Sequence, residues 1–184
     1  MASTQSAAEF LINQRDSRTV FDNLPDDIYP VTEEAAYAVQ DEIVDYLCKE
    51  HDSSRCGYKL ACTNPAIMEL LNVEGPLSGQ LMTHSLFDSG IELAADDFTR
   101  RVVEPEYVFC MAANVPTSSR PYDAHSIKPF IGAMLPGIEI VDYRYRDFTV
   151  VGGNALIAEN SIHGCSIVGA VSYTHLTLPT TSRV

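Results

Sequence analysis

RVVEPEYVFCMAA, residues 101–113, and MLPGIEIVDYRY, residues 134–145, decide how this chain is read. Val102, Val103, Tyr107, Val108 and Phe109 in the first stretch, and Ile138, Ile140 and Val141 in the second, suit a pleated, half-buried surface, so each stretch predicts a strand. Both carry acid where apolar residues are expected. Glu104 and Glu106 flank Pro105, and residues two apart on a strand share one face at a separation of about 6.7 Å. Two carboxylates at that distance repel by about 2.5 kcal/mol at an effective dielectric near 20. On spacing alone a solvated strand face accounts for the pair. Glu139, set between Ile138 and Ile140, weighs against that reading, because a free charge in an apolar run is expensive to bury. A half-buried face would hold such a pair only with a cation or two protons, and a hard divalent ion, Mg²⁺ or Mn²⁺, is the cation that fits. Such ions take oxygen ligands and leave positions open to a substrate's own oxygens.

Working outward, Cys56 to Cys62 predicts a short strand with Lys59 between Tyr58 and Leu60. Burial there would disfavour the charged ammonium and fit Lys59 for acid/base work, whereas an edge-strand lysine would simply face water. Asn64-Pro65 follows as an N-cap with proline at the first helical position, opening a helix through Leu71. Before this β-rich part, Ala7, Phe10, Leu11 and Gln14 predict an amphipathic helix within residues 3–24, and Pro25 and Pro30 interrupt the chain. Thr32 then caps a second helix with Glu33 and Glu34 in its first turn and Ala36, Val39, Ile43 and Leu47 on its apolar face. Phe148 to Gly153 and Ile162 to Val171 are further strand candidates. Three regions result: a helical part over residues 1–55, a β-rich part over 56–171 and a Thr/Ser/Pro-rich tail, SYTHLTLPTTSRV, over 172–184. The tail resembles a vector- or adaptor-derived read-through and is kept out of the fold argument.

Composition narrows the function. With 12 basic and 25 acidic residues among 184, the net charge is −13, a poor match to nucleic acid or an anionic membrane. Hydrophobic residues make up 46% of the chain, enough for a core. Neither a membrane-length apolar run nor a secretory leader is legible, so a cytoplasmic protein is expected. Cys48, Cys56, Cys62, Cys110 and Cys165 lack metal-site or disulfide spacing and read as reduced thiols. A thiol hydrolase using Cys110 or Cys165 with His163 has no supporting pattern. His84 and His163 read as surface or hydrogen-bonded structural histidines rather than proton shuttles, and Asp142 and Arg144 as a structural charge pair.

Several ordered motifs, taken together, resemble a known family. Gly57-Tyr58-Lys59-Leu60, Thr63-Asn64-Pro65-Ala66, Glu104-Pro105-Glu106, Pro136-Gly137-Ile138-Glu139-Ile140-Val141-Asp142 and Ala158-Glu159-Asn160 look like 2-keto-4-pentenoate hydratase and 4-oxalocrotonate decarboxylase, of the fumarylacetoacetate hydrolase family. The similarity runs from Ala36-Tyr37-Ala38-Val39-Gln40 and the helix before it to about Ala170. It implies an α+β fold, N-terminal helices packed on a mixed rolled β-sandwich, incomplete at the C-terminus because the family continues with further strands. It implies that Glu104, Glu106 and Glu139 ligate the metal, that Lys59 is the catalytic lysine beside the substrate, and that Asn160 and Ser161 line the pocket. The family often has Asp-Asn where Glu159-Asn160 stands, and small or hydroxyl residues at Ile162 and His163. The implied activity is a Mg²⁺- or Mn²⁺-dependent lyase of aromatic-compound catabolism, hydrating 2-hydroxypenta-2,4-dienoate. The alternatives are a 4-oxalocrotonate-type decarboxylase or a truncated, non-catalytic member. The implied partner is a small 2-oxo acid, with a homo-oligomer in the full-length form.

Overall fold

The computed structural model describes residues 2–170, and the foreign-looking tail lies outside them. Helix α1, Ala2–Asp16, and helix α2, Glu33–Glu50, pack against each other. The Thr32 side chain accepts from the Ala35 amide, and Ala36, Val39, Ile43, Val44 and Leu47 are buried on one face, as the spacing predicted. Helix α1 stops eight residues short of Leu24. Arg18 adopts a left-handed conformation (φ 51°), and the Thr19 amide donates back to the Gln14 carbonyl, a Schellman termination that the composition does not announce.

Strand β1, Arg55–Ala61, precedes helix α3, Pro65–Leu71, whose Asn64 cap accepts from the Ile67 amide. Strand β2, Leu77–Met82, returns antiparallel to β1 in a two-stranded sheet that places Lys59 opposite Gly79. A second sheet contains β3 (Leu86–Asp88), β4 (Arg101–Met111), β5 (Ile131–Asp142) and β6 (His163–Val168), in the order β3-β6-β5-β4. Its β3–β6 pair is parallel and the others are antiparallel. Helix α4, Ala124–Ile127, lies between β4 and β5, and helix α5, Gly153–Ala158, packs on α2. The architecture is α+β, as expected.

Residues 148–153 are not a strand. The Asp147 carboxylate accepts from both the amide and the hydroxyl of Thr149, and Gly152 has φ 87°, so the chain turns there and enters α5. Ala155, Leu156, Ile157 and Ala158 on α5 join α1 and α2 in one apolar core. The core is tied to the end of β5 by the buried Tyr145, whose hydroxyl donates to the Ala155 carbonyl at 2.8 Å. No described helix is long and apolar enough to cross a membrane.

Gly79 fixes the spacing between β2 and the turn after α5. A Cβ there would come within 2.7 Å of the Asn160 backbone oxygen. Gly79→Ala is expected to lower unfolding free energy by about 1–3 kcal/mol through overpacking; an unchanged urea midpoint would mean that the two segments separate freely.

Candidate functional site

Antiparallel pairing places Glu104 directly opposite Glu139, with Glu106 opposite Gly137 one step along the same face. The three glutamates each offer a carboxylate oxygen, and these oxygens lie within 4.8 Å of one another. Like charges set directly across a ladder destabilise it, so the arrangement calls for positive charge. Part of that charge is Lys59, whose Nζ lies 3.1 Å from Glu139 Oε1; their side chains are 8% and 4% exposed. The same oxygen lies 2.8 Å from Nδ1 of the buried His163. His163 Nε2 is in turn 3.4 Å from the Ser85 hydroxyl.

The three carboxyl groups are not equivalent. Burial pushes Glu139 up, but the hydrogen bond to His163 and the charge of Lys59 outweigh it, and Glu139 lies below the ordinary glutamate range. Glu104 and Glu106 lie above that range. Desolvation is the main cause for both, with Lys59 opposing and Glu139 reinforcing it at Glu104, and both neighbouring carboxylates reinforcing it at Glu106. Removal from water and mutual repulsion thus hold two carboxyls in a state that an added cation would reverse.

Lys59, Glu104, Glu106 and Ser161 open onto a cavity of about 330 Å³. Asn160 does not line it. Its side-chain oxygen accepts from the Gln80 amide at 2.6 Å and its nitrogen donates to the Gln80 carbonyl at 2.9 Å, so the amide takes the place of a neighbouring strand beside β2. Asn160, Ser161 and Ile162 all have left-handed backbone, φ 55°, 49° and 53°. Such conformations cost about 1–2 kcal/mol per residue outside glycine, and here they deliver three side chains to different tasks. Asn160 holds β2, Ser161 lines the cavity while donating to the Ser78 carbonyl at 2.9 Å, and His163, just beyond, reaches Glu139.

Asp142 and Arg144 form the expected pair, at 2.7 Å, and the buried Arg144 also pairs with Glu159. Asp142 accepts in addition from the amides of Thr99 and Arg100, which fixes the start of β4 beside the end of β5. His84 stacks on His51 with ring centroids 4.3 Å apart and lies 3.1 Å from the Ser53 hydroxyl. Burial, then the charges of His51, Arg15 and His163, lower its pKa to about 4, and it stands as a structural histidine. Burial raises the Cys165 thiol to about 11, with Glu139 and Asp142 adding to the effect, which removes the thiolate that a hydrolase would need. Among the unread features were β2, β3, α4, α5, the role of Asn160 and the contact of His163 with Glu139. Leu77–Met82 holds no β-branched residue, and only Gly79 hinted at a close backbone approach.

These elements define an α+β scaffold whose two sheets bring a lysine onto a cluster of carboxylates beside an apolar cavity. No protein-family model matches the chain. Its sequence is similar to a 4-oxalocrotonate decarboxylase from Pseudomonas sp., 27% identical over 121 residues that make up 66% of this chain and 46% of that protein. Its fold is similar to two structures of 4-oxalocrotonate decarboxylase from Pseudomonas putida G7. The first, complexed with magnesium and adipate, matches at TM-score 0.82 and 20% identity over 93% of this chain and 64% of that one. The second, complexed with calcium and acetate, matches at TM-score 0.82 and 20% identity over 94% and 64%. The chain therefore spans about half the length of that sequence relative and less than two thirds of the solved structures. These relatives agree with the hydratase and decarboxylase group that the motifs resemble.

Asn160→Leu keeps the side-chain volume but leaves the Gln80 amide and carbonyl without their partner. It is expected to lower unfolding free energy by about 2–4 kcal/mol in urea denaturation; a change under half a kcal/mol would mean that water replaces the side chain without loss.

Proposed function

We propose that the chain carries the metal-binding and proton-handling part of a divalent-metal-dependent lyase acting on a 2-oxo acid or its dienol, with hydration of 2-hydroxypenta-2,4-dienoate as the leading reaction. The observation that carries this reading is the convergence of Glu104, Glu106 and Glu139 within 4.8 Å, with Lys59 at 3.1 Å from one of them. An all-oxygen donor set suits Mg²⁺ or Mn²⁺, and desolvation with repulsion between neighbouring carboxylates raises Glu104 and Glu106, an effect that a cation beside them would oppose. Glu104, Glu106 and Glu139 would hold the ion. Once bound, it supplies Lewis-acid stabilisation of negative charge on the chelating oxygens of a 2-oxo acid.

The protein's own groups do the rest. Glu139 holds Lys59 at the cavity wall, where its ammonium can give a proton to a substrate carbon and take one back while a pocket water adds. His163 and Lys59 both bond Glu139 Oε1, which limits how that carboxylate can turn. Ser161 presents a cavity-lining hydroxyl near the same wall. Decarboxylation is the second reading, favoured by the name of the sequence relative. There the same charge-stabilising site would accept the electron pair left as CO₂ departs.

Titration with Mg²⁺ or Mn²⁺ by calorimetry, with and without oxalate as a mimic of the chelating oxygens, is the direct test. Binding strengthened by oxalate is expected, and absence of heat in both titrations would end the metal-site reading. Glu106→Gln and Glu139→Gln are each expected to abolish metal binding, whereas Lys59→Ala keeps it and lowers turnover at least a hundredfold. Unchanged Mg²⁺ affinity in both glutamine variants would reassign the site. Because Glu104 and Glu106 bind protons more tightly than ordinary glutamates, the ion must displace them on the acid side. Metal affinity is expected to fall as pH is lowered through their raised pKa values, with proton release visible as a buffer-dependent heat; a pH-independent affinity would show that they are not ligands.

A further inference from the structure

Glu139 lies between two neighbouring strands, with Glu104 opposite it on β4 and Ser166 opposite it on β6. The β5–β6 ladder is regular as far as Ile140, which faces Cys165, and then slips: Val141 faces His163, and Gly164 is the extra residue between them. Side chains alternate between the two faces of a sheet. Glu139 and Val141 share a face, so the slip puts His163 on the face of Glu139. In an unbroken ladder His163 would stand opposite Asp142, on the other face. Bulges of this kind re-aim a side chain. Glycine suits the extra position, because a Cβ on Gly164 would come within 2.5 Å of the Ile140 carbonyl oxygen.

The re-aimed ring is 1% exposed and makes two contacts. Nδ1 lies 2.8 Å from Glu139 Oε1, and Nε2 lies 3.4 Å from the hydroxyl of Ser85, just before β3. An ionised carboxylate only accepts, so Nδ1–H donates and Nε2 is left as an acceptor. Lys59 Nζ takes the same carboxylate oxygen at 3.1 Å. Two donors occupy both lone pairs of Oε1 and leave Oε2 as the oxygen that can ligate an ion. A carboxylate pinned in this way cannot swing to offer both oxygens to one ion.

We propose that His163, aimed by the bulge at Gly164, is a positioning residue that fixes Glu139 as a one-oxygen ligand and thereby favours Mg²⁺ over Ca²⁺ at the three-glutamate site. The inference deepens the metal-dependent reading of that site and rests on it for the ion. Mg²⁺ demands near-octahedral geometry at short distances, whereas Ca²⁺ accepts more oxygens and bidentate carboxylates. Loosening Glu139 therefore costs the smaller ion more.

The test uses the full chain with His163→Leu, which removes the donor, and His163→Asn, whose amide nitrogen stands where Nδ1 did. Without metal, NMR of the imidazole nitrogens should show His163 protonated at Nδ1 and not at Nε2. The carboxyl carbon resonance of Glu139 should move in His163→Leu and return toward its wild-type position in His163→Asn. Calorimetry with each ion should give His163→Leu at least tenfold weaker Mg²⁺ binding and a smaller loss for Ca²⁺, with most of the Mg²⁺ affinity recovered in His163→Asn. A histidine that served packing alone would lower the urea midpoint in both variants and leave the ratio of the two affinities unchanged. A proton on Nε2 in place of Nδ1, an unchanged Mg²⁺-to-Ca²⁺ ratio in a folded leucine variant, or an asparagine variant no better than leucine would overturn the proposal. Where circular dichroism shows the leucine variant unfolded, His163→Gln, which carries its amide nitrogen at the Nε2 position, takes its place against asparagine with the same outcomes. If the wild-type chain binds neither ion, the metal reading falls and the ion preference with it, while the ring tautomer and the carboxyl resonance still decide whether His163 anchors Glu139. If the ions bind but neither the affinities nor the resonance respond to His163, the metal reading stands and the positioning role falls.

Discussion

Repulsion among three carboxylates on one sheet face is the constraint around which this molecule is organised. The β4–β5 register sets Glu104 against Glu139 and leaves Glu106 beside them, a pairing that a sheet would ordinarily avoid. It persists because cationic and hydrogen-bonding groups are brought to it from elsewhere in the chain. Lys59 arrives from the other sheet and His163 from the start of β6, and both reach the same oxygen of Glu139. Remove the packing that delivers either group and the ladder itself is left with a buried, undercompensated charge, which is among the more damaging defects a core can carry.

Delivery of Lys59 depends in turn on a short left-handed turn. Among the described residues β2 is the strand that pairs with β1, so the backbone position of Lys59 depends on that of β2. Asn160 steadies β2 by bonding both polar groups of the Gln80 backbone. Gly79 lets the Asn160 carbonyl approach where any Cβ would collide. Three successive non-glycine residues at positive φ are unfavourable locally, and the interactions made by Asn160, Ser161 and His163 are what offset them. Strain, clamp and carboxylate partner lie within four consecutive residues.

What the sequence made legible follows from the range of the forces involved. Helix α2 and the Asn64-Pro65 start of α3 were readable because caps and apolar periodicity act over a few residues. Glu104, Glu106 and Glu139 stood out because each violates its own strand's pattern, and a local violation needs no partner to be visible. β2 was hidden for the opposite reason. Its residues have little intrinsic strand preference, and the strand exists because β1 lies on one side and a side-chain amide on the other, seventy-eight to eighty-three residues away in sequence. The misread stretch at residues 148–153 was apolar enough for a strand, but Asp147 and Gly152 turned it first. His163 was legible as a structural histidine, while its attachment to Glu139 depended on the β5–β6 pairing, which brings distant segments together.

Burial gives the site its cost and its usefulness by the same physics. Taking Glu104 and Glu106 partly out of water raises their proton affinity. In that lower-dielectric setting a cation gains more from the three carboxylates than it would on an open surface.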